Sequence, residues 1–456
     1  MNYSSALKYL FSFINFERLP FEYKRQFNLK RVETLLSWFG NPHHFFSSVL
    51  VAGTKGKGST ANFLASILTA NGYSTGFYSS PHLNDPRERI RINGKVISER
   101  DFAELIGQIR PVIERHRRKI AALGPITFFE VFTLAAFLYF AHKKVDLAIS
   151  EIGMGGRLDA SNVLTPLVSV IAPISFDHEE HLGNTLGAIA REKAAVIKRK
   201  SYVVSAEQKP EARRVIANQI RKQGATGYFY GSSFRTKREK LSLKGSAFDF
   251  QVGTKKGTGL KTCPLFSSTF KIKLPGEFQI KNAALALAAA GILENRFGFT
   301  LKEKKVKKGL SSSFWPGRFE VIKRGARTFV LDGAHNGASM EELMKASDRA
   351  FPEKHKVVIF GCSREKNLEA ILKPLLPQVS YLVVTKSDSP RAQEPKIILE
   401  KASKLGYKKP ASWAPNLKEA LDLAGKLGLR NAIYLITGSL FLIGEAREAL
   451  KCPKLI

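Results

Sequence analysis

Short continuous apolar runs alternate along this chain with longer stretches in which apolar residues recur every three or four positions. A run of four to eight apolar residues bounded by turn residues suits a strand buried on both faces, whereas recurrence at three and four suits a helix with one buried stripe. The first kind occurs at 49–52, 145–150 and 167–172, and 73–78 reads as a further strand. The second kind precedes, separates or follows them. Leu29, Val32, Leu35, Leu36 and Phe39 mark a helical region within 1–40, broken by Asn41-Pro42. Phe63, Leu64, Ile67 and Leu68 mark a helix over 59–70, a polar helical stretch runs to Lys119, and further helices fall at 127–140 and 185–198. Strand–helix alternation from 47 to about 220 predicts a mostly parallel, doubly wound sheet.

The pattern then changes. Over 225–275 Gly, Ser, Thr and Lys increase, and 248–252 and 270–274 alternate with period two. That predicts antiparallel strands at the edge of the first domain. Helices follow over 281–293 and 301–310. An irregular segment, 314–318, gives way to a second alternation, with strands at 328–331, 357–361, 381–385 and 432–437 and helices at 336–350, 366–376, 394–404, 416–427 and 440–451. The expected fold class is therefore α/β in two domains. Residues 1–313 form a doubly wound domain with a phosphate-binding loop and an antiparallel edge at 225–275. Residues 314–318 link it to a smaller Rossmann-like α/β domain over 319–456. No internal repeat or low-complexity segment interrupts this plan.

Composition changes the picture in one respect. The 456 residues hold 72 Lys and Arg against 39 Asp and Glu, a net charge of +33. Nucleic-acid binding is one reading of such an excess. The basic residues are spread along the chain, however, with modest clusters at 115–119, 235–244 and 302–308 and no basic arm. A solvated surface that attracts anionic small molecules is expected instead, and nucleic acid is not an expected partner. Three scattered cysteines, Cys263, Cys362 and Cys452, suggest neither a disulfide framework nor a zinc site. The N-terminus lacks the layout of a signal peptide, and no apolar run nears the ~20 residues of a membrane span. A cytoplasmic protein, monomeric and without a membrane partner, is expected.

Candidate chemistry collects where strands end. The strand at 49–52 runs into Gly53-Thr-Lys-Gly-Lys-Gly-Ser59, which opens a helix. Strand, glycine loop and helix make the plan of a phosphate cradle, with Lys57 near the outer phosphates and a hydroxyl of Ser59 or Thr60 free to face Mg²⁺. Gly58 separates Lys57 from Ser59, so the strict pattern is broken, and a glycine turn opening an ordinary helix is the competing reading. Ser79-Ser-Pro-His-Leu83 also follows a strand, a usual place for ligands in open sheets. Thr127 and Glu130 stand at capping-box positions, which gives Glu130 a structural reading. Glu151 ends the strand at 145–150 and is placed to hold a nucleotide-bound metal or to cap a turn.

In order along the chain, Val51-Ala-Gly-Thr-Lys-Gly-Lys-Gly-Ser59, Ser79-Ser-Pro-His-Leu83, Glu88-Arg-Ile-Arg91, Thr127-Phe-Phe-Glu130, Glu151-Ile-Gly-Met-Gly-Gly-Arg-Leu-Asp159, Asp177-His178, Arg191-Glu-Lys-Ala194, Asn282-Ala-Ala284, Trp315-Pro-Gly-Arg318, Asp332-Gly-Ala-His-Asn336 and Thr437-Gly-Ser439 resemble the motifs of the folylpolyglutamate synthase and dihydrofolate synthase family, a branch of the Mur-type ligases. The resemblance spans nearly the whole chain. It implies that ATP phosphorylates the carboxylate of dihydropteroate or of a folate's glutamate tail, and that L-glutamate attacks the acyl phosphate. A Mur-type ligase acting on a peptidoglycan nucleotide precursor is the nearest alternative, against which Ser79–Leu83 and Trp315–Arg318 argue. A nucleic-acid-binding protein is a remote one, suggested by charge alone.

The resemblance also implies roles. Thr54, Lys55, Gly56, Lys57, Gly58, Ser59, Asn282, Arg318, Asp332 and His335 would meet ATP, with Arg318 on phosphate and Asp332 on the ribose. Two Mg²⁺ ions would be held by Ser80, Glu151, His178 and Lys193, with Lys193 carbamylated; a potassium ion is also implied. Lys57, Glu151, His178 and Lys193 would be the catalytic set. Thr127, Phe128, Phe129, Glu130, Leu158, Asp159 and Ala160 would line the pterin side. Read without the resemblance, Ser80 is a turn residue, His178 a packed histidine, Lys193 a surface lysine, His335 a loop cap, and one of Phe128 and Phe129 a core residue.

Overall fold

The computed structural model describes residues 1–17, 19, 23–243, 245–253, 268–429 and 431–453. Cys263 and the middle of the 225–275 region lie outside the described residues. Two α/β domains are present. Eight strands make the first sheet: β1 Ser47–Ala52, β2 Thr75–Tyr78, β3 Ile90–Ile92, β4 Lys95–Val96, β5 Leu147–Glu151, β6 Val168–Ile171, β7 Tyr202–Ser205 and β8 Thr226–Phe229. Their order is β4-β3-β2-β5-β1-β6-β7-β8. From β2 to β8 every neighbouring pair is parallel, while β3 and β4 pair antiparallel at one edge.

The central strands read as continuous apolar runs because both faces are covered. On one face β1 packs through Leu50 and Ala52 against a core shared with Phe132, Phe137 and Phe140 of the helix Phe128–His142. On the other, Val49 and Val51 meet Phe63, Leu64 and Ile67 of the helix Lys57–Asn71 and the alanine-rich helix Glu277–Phe297. That second helix is longer than expected; it starts after Gly276 and stops at Gly298, which has a left-handed φ of 75°. Residues Ser47 to Val51 of β1 pair with Leu147 to Glu151 of β5, and Val49 to Ala52 pair with Val168 to Ile171 of β6. The carboxyl ends of the three strands therefore lie side by side, where open sheets bind ligands.

The expected antiparallel region forms a separate three-stranded sheet rather than an edge of the first one. It comprises β9 Phe234–Ser242, β10 Gly245–Val252 and β11 Ser268–Ile272, in the order β11-β10-β9. Phe234, Phe248, Phe250, Phe270 and Ile272 turn inward and join the core beneath Glu277–Phe297. The start of the 225–275 region is instead β8, a parallel strand.

The second domain carries β12 Glu320–Arg324, β13 Arg327–Asp332, β14 His355–Phe360, β15 Tyr381–Val384, β16 Ala411–Trp413 and β17 Ala432–Thr437, ordered β12-β13-β17-β14-β15-β16. β12 alone pairs antiparallel, as a hairpin with β13. The five helices expected here are present as Gly337–Ala350, Leu368–Leu375, Pro395–Lys404, Leu417–Lys426 and Leu440–Ala449. Sequence pattern misses β12 and β16 because each is an edge strand with little buried surface: Ile322 is the one buried residue of β12, and β16 has none.

Candidate active site

The loop after β1 is shaped by what lies against it. Gly56 has φ of +78°, and a Cβ there would come within 2.3 Å of Asn282 Oδ1. Gly58, in the first helical turn, is closely hemmed in as well: a Cβ would sit 3.1 Å from Glu151 Oε2 and 3.1 Å from the Trp315 ring, so those side chains would have to give way. The Gly58 that breaks the strict phosphate-loop spacing is thus the residue that lets Glu151 and Trp315 approach. Thr54 and Lys55 donate their N–H groups to Pro173 O at 2.9 and 3.4 Å, and Thr54 exchanges hydrogen bonds with the Ser175 backbone at 3.0 and 3.1 Å. The loop is fixed to the segment after β6, and the helix start carries the unsatisfied N–H groups that attract anions.

Charges converge on this helix start from several elements. Glu151, at the end of β5, is 5% exposed. Burial raises its pKa against the opposing pull of Lys57, Arg318 and the Ser80 N–H. Lys193 comes from the helix Leu186–Ala194 and is buried, with Nζ donating to Gly53 O at 2.8 Å. Burial and the nearby Lys57 bring it down to about 7. Desolvation and Lys366 push His178 well below the usual histidine range, leaving a neutral imidazole able to offer a lone pair. For Asp177 burial would act upward, but the Lys366 ammonium beside it holds it well below the carboxylate range.

Asp332, at the end of β13, accepts from Phe319 N at 2.8 Å and Ala334 N at 2.9 Å, which ties the turn carrying Arg318 to the second domain. Burial raises its pKa and Arg318 opposes the rise. Trp315, in the linking segment, stacks under Arg91, whose Cζ lies 4.8 Å from the ring centroid, and meets Phe77 edge-on at 5.5 Å. His335 Nδ1 lies 2.7 Å from Gly333 O.

Two cavities open from this centre, each of about 220 Å³. The first is a polar cleft between the domains. Thr54 to Ser59, Ser80, Glu151, His178, Lys193, Asn282, Arg318, Asp332 and His335 all line it. The second is more apolar and shares Ser80, Pro81, Gly153, Met154, His178, His335 and Leu440 with the first. Of the residues expected on the pterin side, Thr127, Phe129 and Asp159 line it. Asp159 accepts from Ser161, Gly153 and Met154 N–H groups at 2.9, 2.9 and 3.3 Å, and burial nonetheless lifts it to about 6.

Phe128, Glu130, Leu158 and Ala160 are not part of that lining. Phe128 has no exposed surface and stacks on Phe11 with ring centroids 5.4 Å apart. Glu130 closes the capping box with Thr127 N at 2.9 Å and gives both oxygens to Arg31, the shortest contact being 2.6 Å. Leu158 is half-buried against the N-terminal core, and Ala160 is buried in a short helical turn.

Sequence reading also missed residues that the fold brings in. Asn15, Phe16, Glu17 and Phe27 reach the apolar cavity from the N-terminal region, and Ser363, Glu365, Lys366 and Arg391 reach it from the second domain. The glycine that ends the strand at 357–361 was the available signal for Lys366. Gln279, one turn before Asn282 on the same helix, lines the cleft while 1% exposed; its Oε1 accepts from Asn282 Nδ2 at 3.0 Å and its Nε2 has no hydrogen-bond partner among the described residues.

Residues 51–290 match the model of the Mur ligase middle domain and residues 317–440 that of the Mur ligase glutamate ligase domain. The dihydrofolate synthase/folylpolyglutamate synthase of Bacillus subtilis (strain 168) is 33% identical over 424 residues, covering 93% of this chain and 95% of its own. A folylpolyglutamate synthase of Mycobacterium tuberculosis complexed with ADP superposes with a TM-score of 0.89 at 30% identity, covering 99% of this chain and 100% of that one. An FPGS–AMPPCP–folate complex superposes with a TM-score of 0.80 at 28% identity, covering 99% and 100%. Among the described residues no helix is long and apolar enough to cross a membrane.

Proposed function

The chain belongs to the dihydrofolate synthase/folylpolyglutamate synthase family of Mur ligases, and from that premise we propose how its cleft works. It is an ATP-dependent ligase that joins L-glutamate to the carboxylate of dihydropteroate or to the glutamate tail of a folate. One observation carries the reading: Lys57, Lys193 and the glycine-lined helix start of the first domain meet Arg318 of the linker and Asp332 of the second domain in a cleft that opens directly into an apolar cavity.

The domains divide at 314–318, and ATP lies between them. Its phosphates rest on the loop 53–59, where the helix-start N–H groups and Lys57 offset their charge. Arg318 approaches the same phosphates from the linker. The ribose hydroxyls donate to the lone pairs that Asp332 does not spend on Phe319 and Ala334. Asn282 and His335 close the nucleotide side. In the apolar cavity Phe129 stacks on the pterin ring and Asp159 accepts from its N–H groups, with Thr127 beside them. Phe128, Glu130, Leu158 and Ala160 support that wall from behind.

Repulsion between ATP and the acid substrate is the barrier to be lowered. Lys57 and Arg318 lower it where the two anions meet. The γ-phosphoryl group passes to the carboxylate oxygen and ADP leaves. The glutamate amine then attacks the acyl carbon and expels phosphate. Glutamate comes from the side of the second domain.

The donor set suits Mg²⁺. Glu151 and Ser80 offer oxygen ligands beside the phosphates, and Mg²⁺ is usually held by one or two carboxylates plus substrate oxygens. Gly58 and Gly153 leave space there: a Cβ at 153 would crowd Ser80 Oγ to 3.2 Å. When bound, Mg²⁺ neutralises phosphate charge. Among the described residues no cluster of three His, Cys, Asp or Glu forms a metal site, so a second ion beside His178 needs Lys193 as a carbamate. Lys193 is buried enough to favour the uncharged amine that carbamate formation requires.

The test is direct. Purified protein receives ATP, Mg²⁺ and labelled glutamate with dihydropteroate or with a reduced folate. ADP release should require both the pterin acid and glutamate, and the label should enter the pterin product. ADP release indifferent to the pterin, or transfer to a peptidoglycan nucleotide precursor instead, would overturn the reading. Intact-peptide mass spectrometry should find one CO₂ on Lys193.

A further inference from the structure

Three groups of the second domain converge on a single carboxylate of the first. Asp177 Oδ1 accepts from Lys366 Nζ at 2.7 Å. Its Oδ2 accepts from Asn336 Nδ2 at 3.2 Å and lies 3.7 Å from His335 Nε2. His335 and Asn336 follow β13, whereas Lys366 follows β14, so two separate loops of one domain reach the same point. The contact is dry: the Asp177 and Lys366 side chains are 7% and 10% exposed.

Position gives this cluster its meaning. Asp177 immediately precedes His178, whose backbone N–H donates to Asp177 Oδ1 at 3.1 Å and whose own φ is +53°. His178 and His335 line both cavities, at the junction where a phosphoryl group must pass from nucleotide to acid. Moving the second domain away would return Asp177 and Lys366 to water. Keeping either buried without the other would leave an uncompensated charge, a large penalty in a dry site. The pair is therefore satisfied in two arrangements, fully closed or fully open, and poorly in between.

We propose that Asp177 is a positioning residue that registers the second domain over the cleft, holding Lys366, Asn336 and His335 at the junction of the cavities. Its consequence for turnover rests on the ligase reading; its consequence for closure does not. An acyl phosphate formed in an imperfectly closed cleft meets water and hydrolyses. Loss of the cluster should then appear as uncoupling, with ADP formed in excess of amide, rather than as loss of phosphoryl transfer.

The experiment compares the wild type with Asp177→Asn, Lys366→Met and the double variant, each first checked for native circular dichroism. Two quantities are read: the ratio of ADP released to amide formed, and the radius of gyration by small-angle scattering with a non-hydrolysable ATP analogue. The wild type should couple near one to one and contract with the analogue. Asp177→Asn should release about tenfold more ADP per amide and contract less, and the double variant should be no worse than either single one, as residues acting through one contact are non-additive. If Asp177→Asn does not fold, Lys366→Met alone should show the same two changes. Wild-type coupling and contraction in the folded single variants, or additive losses in the double, would overturn the proposal. A wild type that forms no amide with any pterin acid would overturn the functional reading instead, while scattering would still decide the closure claim.

Discussion

The two cavities that meet at Ser80, His178 and His335 are built in opposite ways. Every residue assigned to nucleotide or metal by the family resemblance lines the polar cleft, whereas Thr60, the alternative to Ser59 for facing Mg²⁺, is buried outside it. Of the seven assigned to the pterin side, Thr127, Phe129 and Asp159 line the apolar cavity, and the others lie behind its wall. The difference follows from what each ligand requires. A phosphate needs consecutive N–H groups at a helix start, glycines that let them approach, and a nearby cation, all of which are local and contiguous in sequence. An apolar ring needs only surface, which any distant segments can supply. Here Phe16 and Phe27 come from one end of the chain, Phe129 from a helix start, and Phe441 from the other end.

The largest effect should come from separating the chemistry of the cleft from binding in the cavity. Lys57→Ala and Glu151→Gln should each lower kcat by at least ~10²–10³-fold, the usual loss when a group that stabilises transition-state charge is removed. Circular dichroism should stay native, and pterin binding followed by fluorescence quenching should survive. Turnover that persists in both variants would mean that the cleft is not where phosphate is transferred.

Next is the contrast within one helix start. Phe128→Ala empties a fully buried ring site and should cost about 3–5 kcal/mol in chemical denaturation. Arg31→Met should cost a similar amount, because it strands the buried Glu130 carboxylate that both ends of the guanidinium now satisfy. Phe129→Ala, one residue along, should leave the denaturation midpoint nearly unchanged and raise the pterin KM about tenfold, as loss of a stacked aromatic face does. If Phe128→Ala changed KM without changing stability, the boundary drawn here between wall and support would be wrong.

These neighbours show where sequence stops being informative. The alternation of apolar runs was enough to place β1, β2, β5 and β6 in the first sheet and β13, β14, β15 and β17 in the second domain, because strands buried on two faces and helices buried on one leave different periods; it did not mark β3, β4, β7 or β8. It was not enough for β12 or β16, which bury too little to leave a period. Phe128 and Phe129 are chemically identical, and only the helix direction set by the Thr127 cap decides which one faces Phe11 and which the cavity. Lys193 reads as a surface residue in sequence, yet it is buried because its helix packs its Nζ under Gly53. Asp177 was seen only as the neighbour of His178, since Lys366, Asn336 and His335 reach it from the far domain.

A smaller effect should separate Gln279 from Asn282. Gln279 Nε2 is a buried donor in the cleft without a partner among the described residues. A bound nucleotide acceptor would satisfy it, so Gln279→Leu should raise the ATP KM by about 2–10-fold, the worth of one neutral hydrogen bond, and leave the pterin KM alone. A fall in ATP KM would show that the amide is merely tolerated there.

The smallest effect concerns Lys55, which belongs to the phosphate loop and yet reaches across to the second domain. Its Nζ donates to Glu342 Oε1 at 3.0 Å and to Ala338 O at 3.3 Å. The side chains of this pair are 22% and 40% exposed, against 10% and 7% for Lys366 and Asp177. Solvent therefore screens the first contact far more, and an exposed pair contributes about 0–1 kcal/mol. Glu342→Gln should thus change closure by scattering very little, in contrast to Asp177→Asn. Lys55→Ala removes the same pair and also a cation beside the phosphates. If Lys55 serves only as a tether, Lys55→Ala and Glu342→Gln should match in ATP KM. If it also serves the nucleotide, Lys55→Ala should raise the ATP KM by up to about fivefold at low salt, Glu342→Gln should not, and added salt should narrow the gap between them.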